Sequence, residues 1–205
     1  MHKLIDIIKR NVDDIIKPVA VLLAICIVIP LSLSLTNKIT VNRIAELEKK
    51  NAAATMSELI KAEEFEKKGL SIVDVAEPFE YYIAKNGEEV LGYIFTTFAK
   101  GYGGDVSVMT AVNTDGAVKS VAILDATNET PGLGQNVTKQ KFYSQYAGKK
   151  SDVKVVKNGA AEENNEVDAV TGATISSKAV TKAVNEALEN YKAVIVDLGV
   201  AANEK

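Results

Sequence analysis

The run from Pro18 to Thr36 carries no charged residue and is strongly apolar. Its length is about the ~20 residues that a helix needs to cross a bilayer. In lipid every backbone polar group must find its partner within the segment, so a run of this kind folds as a helix. The absence of charge over such a length argues against a buried helix of a soluble domain. A cleaved signal peptide is shorter, and no small-x-small site follows the run. The expectation is an uncleaved single-pass anchor at residues 18–36. Cys26 lies in mid-run, preceded by bulky Ile25 and followed by Ile27-Val28-Ile29, which suits packing rather than lipid attachment.

Flanking Lys and Arg set the orientation. Lys3, Lys9, Arg10 and Lys17 precede the run, whereas only Lys38 and Arg43 follow closely, with Lys49 and Lys50 further out. The bias places the N-terminus in the cytoplasm and the C-terminal domain outside the cell membrane. Within residues 1–17, Leu4, Ile5, Ile7, Ile8, Val12, Ile15 and Ile16 fall near helical spacing. Two readings stay open: an amphipathic helix on the membrane surface, or a continuation of the spanning helix.

Beyond the anchor, Asn42 to Lys68 reads as a helix with Ile44, Leu47, Met56, Leu59 and Ile60 on one stripe, stopped by Gly69. Leu70 to Ala76 then alternates as a strand. Asn86-Gly87, between Phe79–Lys85 and Val90–Phe98, is a hairpin signal. Asp115-Gly116, between Val106–Val112 and Val118–Leu124, is a second. Phe142, Tyr143 and Tyr146 form an aromatic cluster on a short helix, Val153 to Val156 reads as a strand, and Gly159 to Glu166 as a polar loop. A final helix is marked by Ala179, Val180, Ala183, Val184, Ala187, Leu188 and Tyr191 at three- and four-residue spacing. After it, Ala193 to Lys205 adds an apolar turn, Val194-Ile195-Val196, before the tail. The fold class is α+β: a transmembrane helix and a stalk helix, then a mostly antiparallel sheet with flanking helices. The divisions are a cytoplasmic segment at 1–17, an anchor at 18–36, a stalk at 37–68 and an extracytoplasmic domain at 69–205.

Composition removes several chemistries. The chain of 205 residues has one cysteine and one histidine, Cys26 and His2. An internal disulfide, a cysteine-held metal or iron–sulfur centre, zinc hydrolysis and a Ser-His-Asp triad all lack their side chains. A net charge of −3 with no basic patch makes nucleic acid a poor partner. Redox work would have to come from an organic cofactor.

Three motifs remain. Asp168-x-x-Thr171-Gly172-Ala173-Thr174 runs into the last helix, with Ser176 and Ser177 just behind. By pattern such a Ser/Thr cluster is an N-cap. The same place offers free backbone N–H groups and the positive end of the helix dipole, which suit a phosphate. Gly101-Tyr102-Gly103-Gly104 and Glu129-Thr130-Pro131-Gly132-Leu133-Gly134 each follow a strand, and each reads as a turn.

Together, and in their order along the chain, the three motifs resemble the FMN-binding domain family. That family includes the G-type subunit of the Rnf complex and the C-type subunit of the sodium-translocating NADH:quinone reductase. The resemblance runs from the N-terminal anchor to the last helix. It implies covalent FMN, joined by a phosphoester to Thr174, with Asp168, Thr171, Gly172 and Ala173 as the rest of the attachment motif. It also implies that Tyr102, Gly103 and Gly104 lie near the flavin ring, where bare backbone permits close approach and Tyr102 covers either the ring or the core. Glu129, Thr130 and Leu133 would border the flavin with an acceptor, a hydroxyl and an apolar contact. No residue is assigned to catalysis or to metal.

A separate flavin transferase, using FAD and a divalent metal, would make the attachment, since a threonine hydroxyl is too weak a nucleophile unaided. The compact chain fits the G-type component of the Rnf complex better than the C-type component of the quinone reductase. The resemblance then implies an electron carrier inside an ion-translocating ferredoxin:NAD oxidoreductase, working beside other membrane, flavin and iron–sulfur subunits. The spanning run has no charged residue that could relay an ion. The alternatives are the quinone-reductase component, or a structural or sensing domain in which Thr174 is only a cap.

Overall fold

The computed structural model of the protein describes residues 2–71, 78–157, 159 and 165–199. Two units divide it, residues 1–51 and residues 52–205.

The first unit is helical. Helix α1 spans His2–Leu59 and holds Pro18 and Pro30 within it. The apolar residues from Ile16 to Val41 make it long and apolar enough to cross a membrane, with none of that span buried in protein. Three of its hydroxyls are satisfied within the helix. Ser32, Thr36 and Thr40 donate to the carbonyls of Val28, Ser32 and Thr36, at 2.8, 2.9 and 2.9 Å. That is the arrangement a spanning helix requires where water is absent. Of the two readings of residues 1–17, the described backbone from His2 onward continues the spanning helix.

The second unit is built on a five-stranded antiparallel meander, β1 (Glu64–Leu70), β2 (Phe79–Asn86), β3 (Glu89–Lys100), β4 (Asp105–Val112) and β5 (Val118–Asp125), in the order β1-β2-β3-β4-β5. Asn86-Gly87 and Asp115-Gly116 turn the chain as expected, with Gly87 at φ +59° and Gly116 at φ +81°. Alternation along each strand feeds two cores. On one face Tyr81, Tyr93, Phe95, Val106, Val108 and Val112 meet the last helix, α3 (Thr174–Asp197). On the other, Ala84, Ile94, Met109 and Ala111 meet Met56, Leu59 and Ile60. The buried hydroxyl of Thr97 on β3 donates to the carbonyl of Ala183 at 2.8 Å, tying sheet to helix. A short helix α2 (Gln140–Tyr143) and a 3-10 turn at Ser144–Tyr146 bury Phe142 and Tyr146, whose rings meet edge to face at 5.7 Å. Two short parallel strands, β6 (Lys154–Val156) and β7 (Glu166–Asp168), complete the unit.

Several boundaries are corrected. The helix read over 42–68 ends at Leu59, and Gly69 does not stop it; Glu64–Leu70 is strand β1. Its Lys and Glu residues favour helix in isolation, but pairing with β2 decides otherwise. Glu66 meets Ile83 in register and its carboxylate pairs with Lys85, while Lys67 pairs with Glu80 at 2.6 Å. Charge on such a strand suits the edge of a sheet. The strand read over 70–76 meets the observed one only at Leu70, and residues 72–77 lie outside the described set. Of the polar loop read over 159–166, Gly159 and residues 165–166 are described, and Glu166 opens β7. Val194-Ile195-Val196 belongs to α3 rather than to a separate turn, with Val194 and Ile195 buried.

Candidate functional site

The Asp168–Thr174 motif leaves β7, turns and enters α3. Gly172, at φ +77°, makes the turn, a conformation that a side chain disfavours. Ala173 then occupies the N-cap place with no side-chain hydrogen bond, and Thr174 is the first helical residue. Thr174 is therefore not the cap. Its hydroxyl is part-exposed and bonds to none of the described residues, and the backbone N–H groups of Thr174, Ile175 and Ser176 are likewise without partners there. Ser177 ties the turn to the helix without capping it. Its hydroxyl donates to the Ala173 carbonyl at 2.9 Å and accepts the Val170 N–H at 3.0 Å.

The other two motifs fold onto this turn through one side chain. Glu129 is 2 % exposed. Its Oε1 accepts the N–H groups of Tyr102 at 2.8 Å and Gly103 at 3.1 Å, and its Oε2 accepts the Ser176 hydroxyl at 2.5 Å. The neighbouring glycines leave it room. A Cβ on Gly101 would stand 2.2 Å from Glu129 Oε1, and one on Gly134 would stand 2.4 Å from Oε2. A Cβ on Gly103 would fall 1.8 Å from the Asn128 carbonyl oxygen, and one on Gly104 2.8 Å from the Asn128 Cβ. On the side where a side chain would project, Gly103 and Gly104 thus pack against Asn128.

Each of the three motif segments exposes a large apolar side chain. Tyr102 is 72 % exposed, Leu133 47 % and Ile175 54 %. Leu133 reaches over Gly172, whose Cβ would lie 3.1 Å from its Cδ2. Thr130 and Thr171 are exposed beside them. Tyr102 therefore faces solvent and does not cover the core. On the β7 side of the motif a cleft of about 570 Å³ is lined by Lys139, Phe142, Gln145, Asp168, Val170 and Thr171, among others. Asp168 Oδ1 is buried there without a hydrogen-bond partner. Its backbone is gripped by Gln145. Below, Tyr146 and Thr181 share a buried hydrogen bond of 2.6 Å, and burial pushes the Tyr146 phenol well above its usual value. Among the described residues no three His, Cys, Asp or Glu side chains group to hold a metal ion.

All three motifs read from sequence thus meet in one place. Sequence reasoning missed the parts that hold them there. Ser176 is legible only as a member of a Ser/Thr cluster, Asn128 lies just outside the Glu129 motif, and Gln145 lies in a segment with no motif. The pairing of a buried acidic residue with a run of glycines was the available signal for the Glu129 clamp.

Residues 101–189 match the FMN-binding domain family. The chain is 37 % identical, over 84 % of its length and 89 % of the other's, to the G-type component of the Na(+)-translocating ferredoxin:NAD(+) oxidoreductase complex of Acetobacterium woodii. It is 43 % identical, over 54 % of its length and 58 % of the other's, to the G-type component of the proton-translocating ferredoxin:NAD(+) oxidoreductase complex of Clostridium ljungdahlii. In fold it is similar to the crystal structure of NqrC from Shewanella oneidensis, with a TM-score of 0.50 at 23 % identity over 58 % of this chain and 63 % of that one.

Proposed function

We propose a covalent-flavin relay for this chain, which belongs to the family of G-type components of the ion-translocating ferredoxin:NAD(+) oxidoreductase complexes and carries that family's FMN-binding domain. The observation that carries the reading is the Thr174 hydroxyl, part-exposed at the first turn of α3 and bonded to none of the described residues. The residues present fit FMN. Three partnerless N–H groups at the start of α3 suit a phosphodiester, which keeps one negative charge. Exposed Tyr102, Leu133 and Ile175 offer apolar surface to a flat ring, and Thr130 and Thr171 offer hydroxyls beside it. Asp168 Oδ1, buried without a partner, is an acceptor available on the cleft side.

In this reading Thr174 Oγ1 would lose its proton and hold the FMN phosphate as a phosphoester, with AMP released from FAD. The transferase supplies the base and the metal. When bound, FMN supplies electron acceptance and donation. The chain's own residues anchor the phosphate and hold the ring, and none is required to move a proton. A tether keeps the flavin where no flavin pool can replace it, which fits a domain on the outer side of the membrane with the N-terminus in the cytoplasm. The domain then passes electrons between neighbouring flavin and iron–sulfur subunits of the complex.

The test is reduction of the assembled complex with ferredoxin while flavin absorbance is followed. A Thr174→Ala complex that assembles but no longer reduces NAD supports the relay. Undiminished NAD reduction in that complex overturns it.

A further inference from the structure

Glu129 is a fully buried carboxylate to which the relay reading gives no task. Both of its oxygens are engaged by protein donors, and at 2 % exposure it offers no free face to a group lying on the Tyr102, Leu133 and Ile175 surface. Its partners come from two distant segments. Tyr102 and Gly103 lie in the loop between β3 and β4, and Ser176 lies two residues past Thr174 in the first turn of α3. Tyr102 and Thr174 are 72 positions apart in sequence, and Glu129 is the side chain that bonds to both segments. The empty positions at Gly101 and Gly134 are filled by this carboxylate, so the two glycines and the acid form one fitted unit. An oxygen that accepts two N–H groups while its twin accepts a hydroxyl fixes direction as well as distance.

We propose that Glu129 is a positioning residue, which sets the first turn of α3, and so the Thr174 hydroxyl, against the Tyr102 loop for flavin attachment and for the seating of the ring. The inference rests on the covalent-flavin reading of Thr174. It assigns Glu129 away from cofactor contact, since the side chain acts only through Tyr102, Gly103 and Ser176. Alanine at 129 would leave those donors turned toward a void and let the two segments move independently. Glutamine keeps an acceptor for the two N–H groups and offers its amide to the Ser176 oxygen, so it restores the link.

The experiment uses the full chain in detergent, with FAD, magnesium and purified flavin transferase, and follows attachment by intact mass. Unmodified wild type at completion would overturn the covalent reading itself, and the positioning role with it. Given a wild type that is modified, Glu129→Ala is expected to slow attachment about tenfold, the effect of losing hydrogen bonds to a charged group. Glu129→Gln should recover most of the rate, and the loaded Glu129→Ala fraction should show altered visible circular dichroism of the flavin. Ser176→Ala cuts one link and keeps the rest, so it tests the role even where Glu129→Ala fails to fold; a slower rate is expected. Wild-type rates and an unchanged flavin spectrum in Ser176→Ala and in any folded Glu129→Ala, with only thermal stability lowered, would overturn the proposal.

Discussion

Gln145 grips the peptide of Asp168 from both sides. Its Oε1 accepts the Asp168 N–H at 2.8 Å and its Nε2 donates to the Asp168 carbonyl at 3.3 Å. Asp168 pairs with Val156 of β6 along one edge of β7. Gln145 thus gives Asp168 the hydrogen bonds that a third strand would have made. The entry to the Asp168–Thr174 motif is fixed by a side chain that no motif contains.

Gln145→Leu keeps much of the volume and removes both bonds to Asp168, and with them a third, from Nε2 to the Phe142 carbonyl at 3.2 Å. It is expected to cost about 1–3 kcal/mol, the effect of part-buried backbone groups left without partners. Chemical denaturation of the full chain in detergent checks this.

Gly103 and Gly69 separate close packing from backbone freedom. Alanine at 103 would place its Cβ 1.8 Å from the Asn128 carbonyl oxygen, whereas at Gly69 nothing lies within 4 Å. Gly103→Ala is expected to destabilise by about 1–3 kcal/mol, as overpacking does. Gly69→Ala should stay within about 0.5 kcal/mol of wild type. Paired melting curves decide the contrast.

Tyr146→Phe removes the buried hydrogen bond to Thr181, which still donates to the Ser177 carbonyl at 3.0 Å. With no group orphaned, the loss should be about 1 kcal/mol, read as a shift in the denaturation midpoint.

Asp125 sets an acid limb. Its carboxyl is held below the usual carboxylate range, first by the backbone N–H of Thr127, at 2.8 Å, and then by the Thr127 side chain. The folded value is depressed, so the stability it contributes is present above the unfolded pKa and is lost as pH falls through the folded one. The loss should begin near the ordinary Asp value of about 4 and continue below it. Asp125→Asn should flatten that part of a stability–pH curve and leave the curve above about pH 6 parallel to wild type.

The sequence carried the elements and the meeting of the motifs more fully than it carried the bonds between them. The apolar run, the Asn-Gly and Asp-Gly hairpins and the α3 stripe each depend on local pattern, and all are present as expected. The stretch Glu64–Gly69 reads as the end of a helix because its propensity and its pairing disagree, and the pairing with Tyr82 and Ile83 lies far off in sequence. Thr174 was legible as a helix start, but its exclusion from the cap depends on the φ of Ala173, −127° with ψ 44°, which no composition announces. The Glu129 clamp joins residues tens of positions apart through hydrogen bonds, and periodicity is silent on such contacts.

The measurement that tests the central claim most directly is the intact mass of the chain isolated from its own host, beside Thr174→Ala. Wild type should carry an added mass equal to FMN less one water. The variant should lack it while keeping its stability within about 0.5 kcal/mol, since Thr174 is not the cap of α3. An unmodified wild-type chain, from cells in which the flavin transferase is active, would contradict the account.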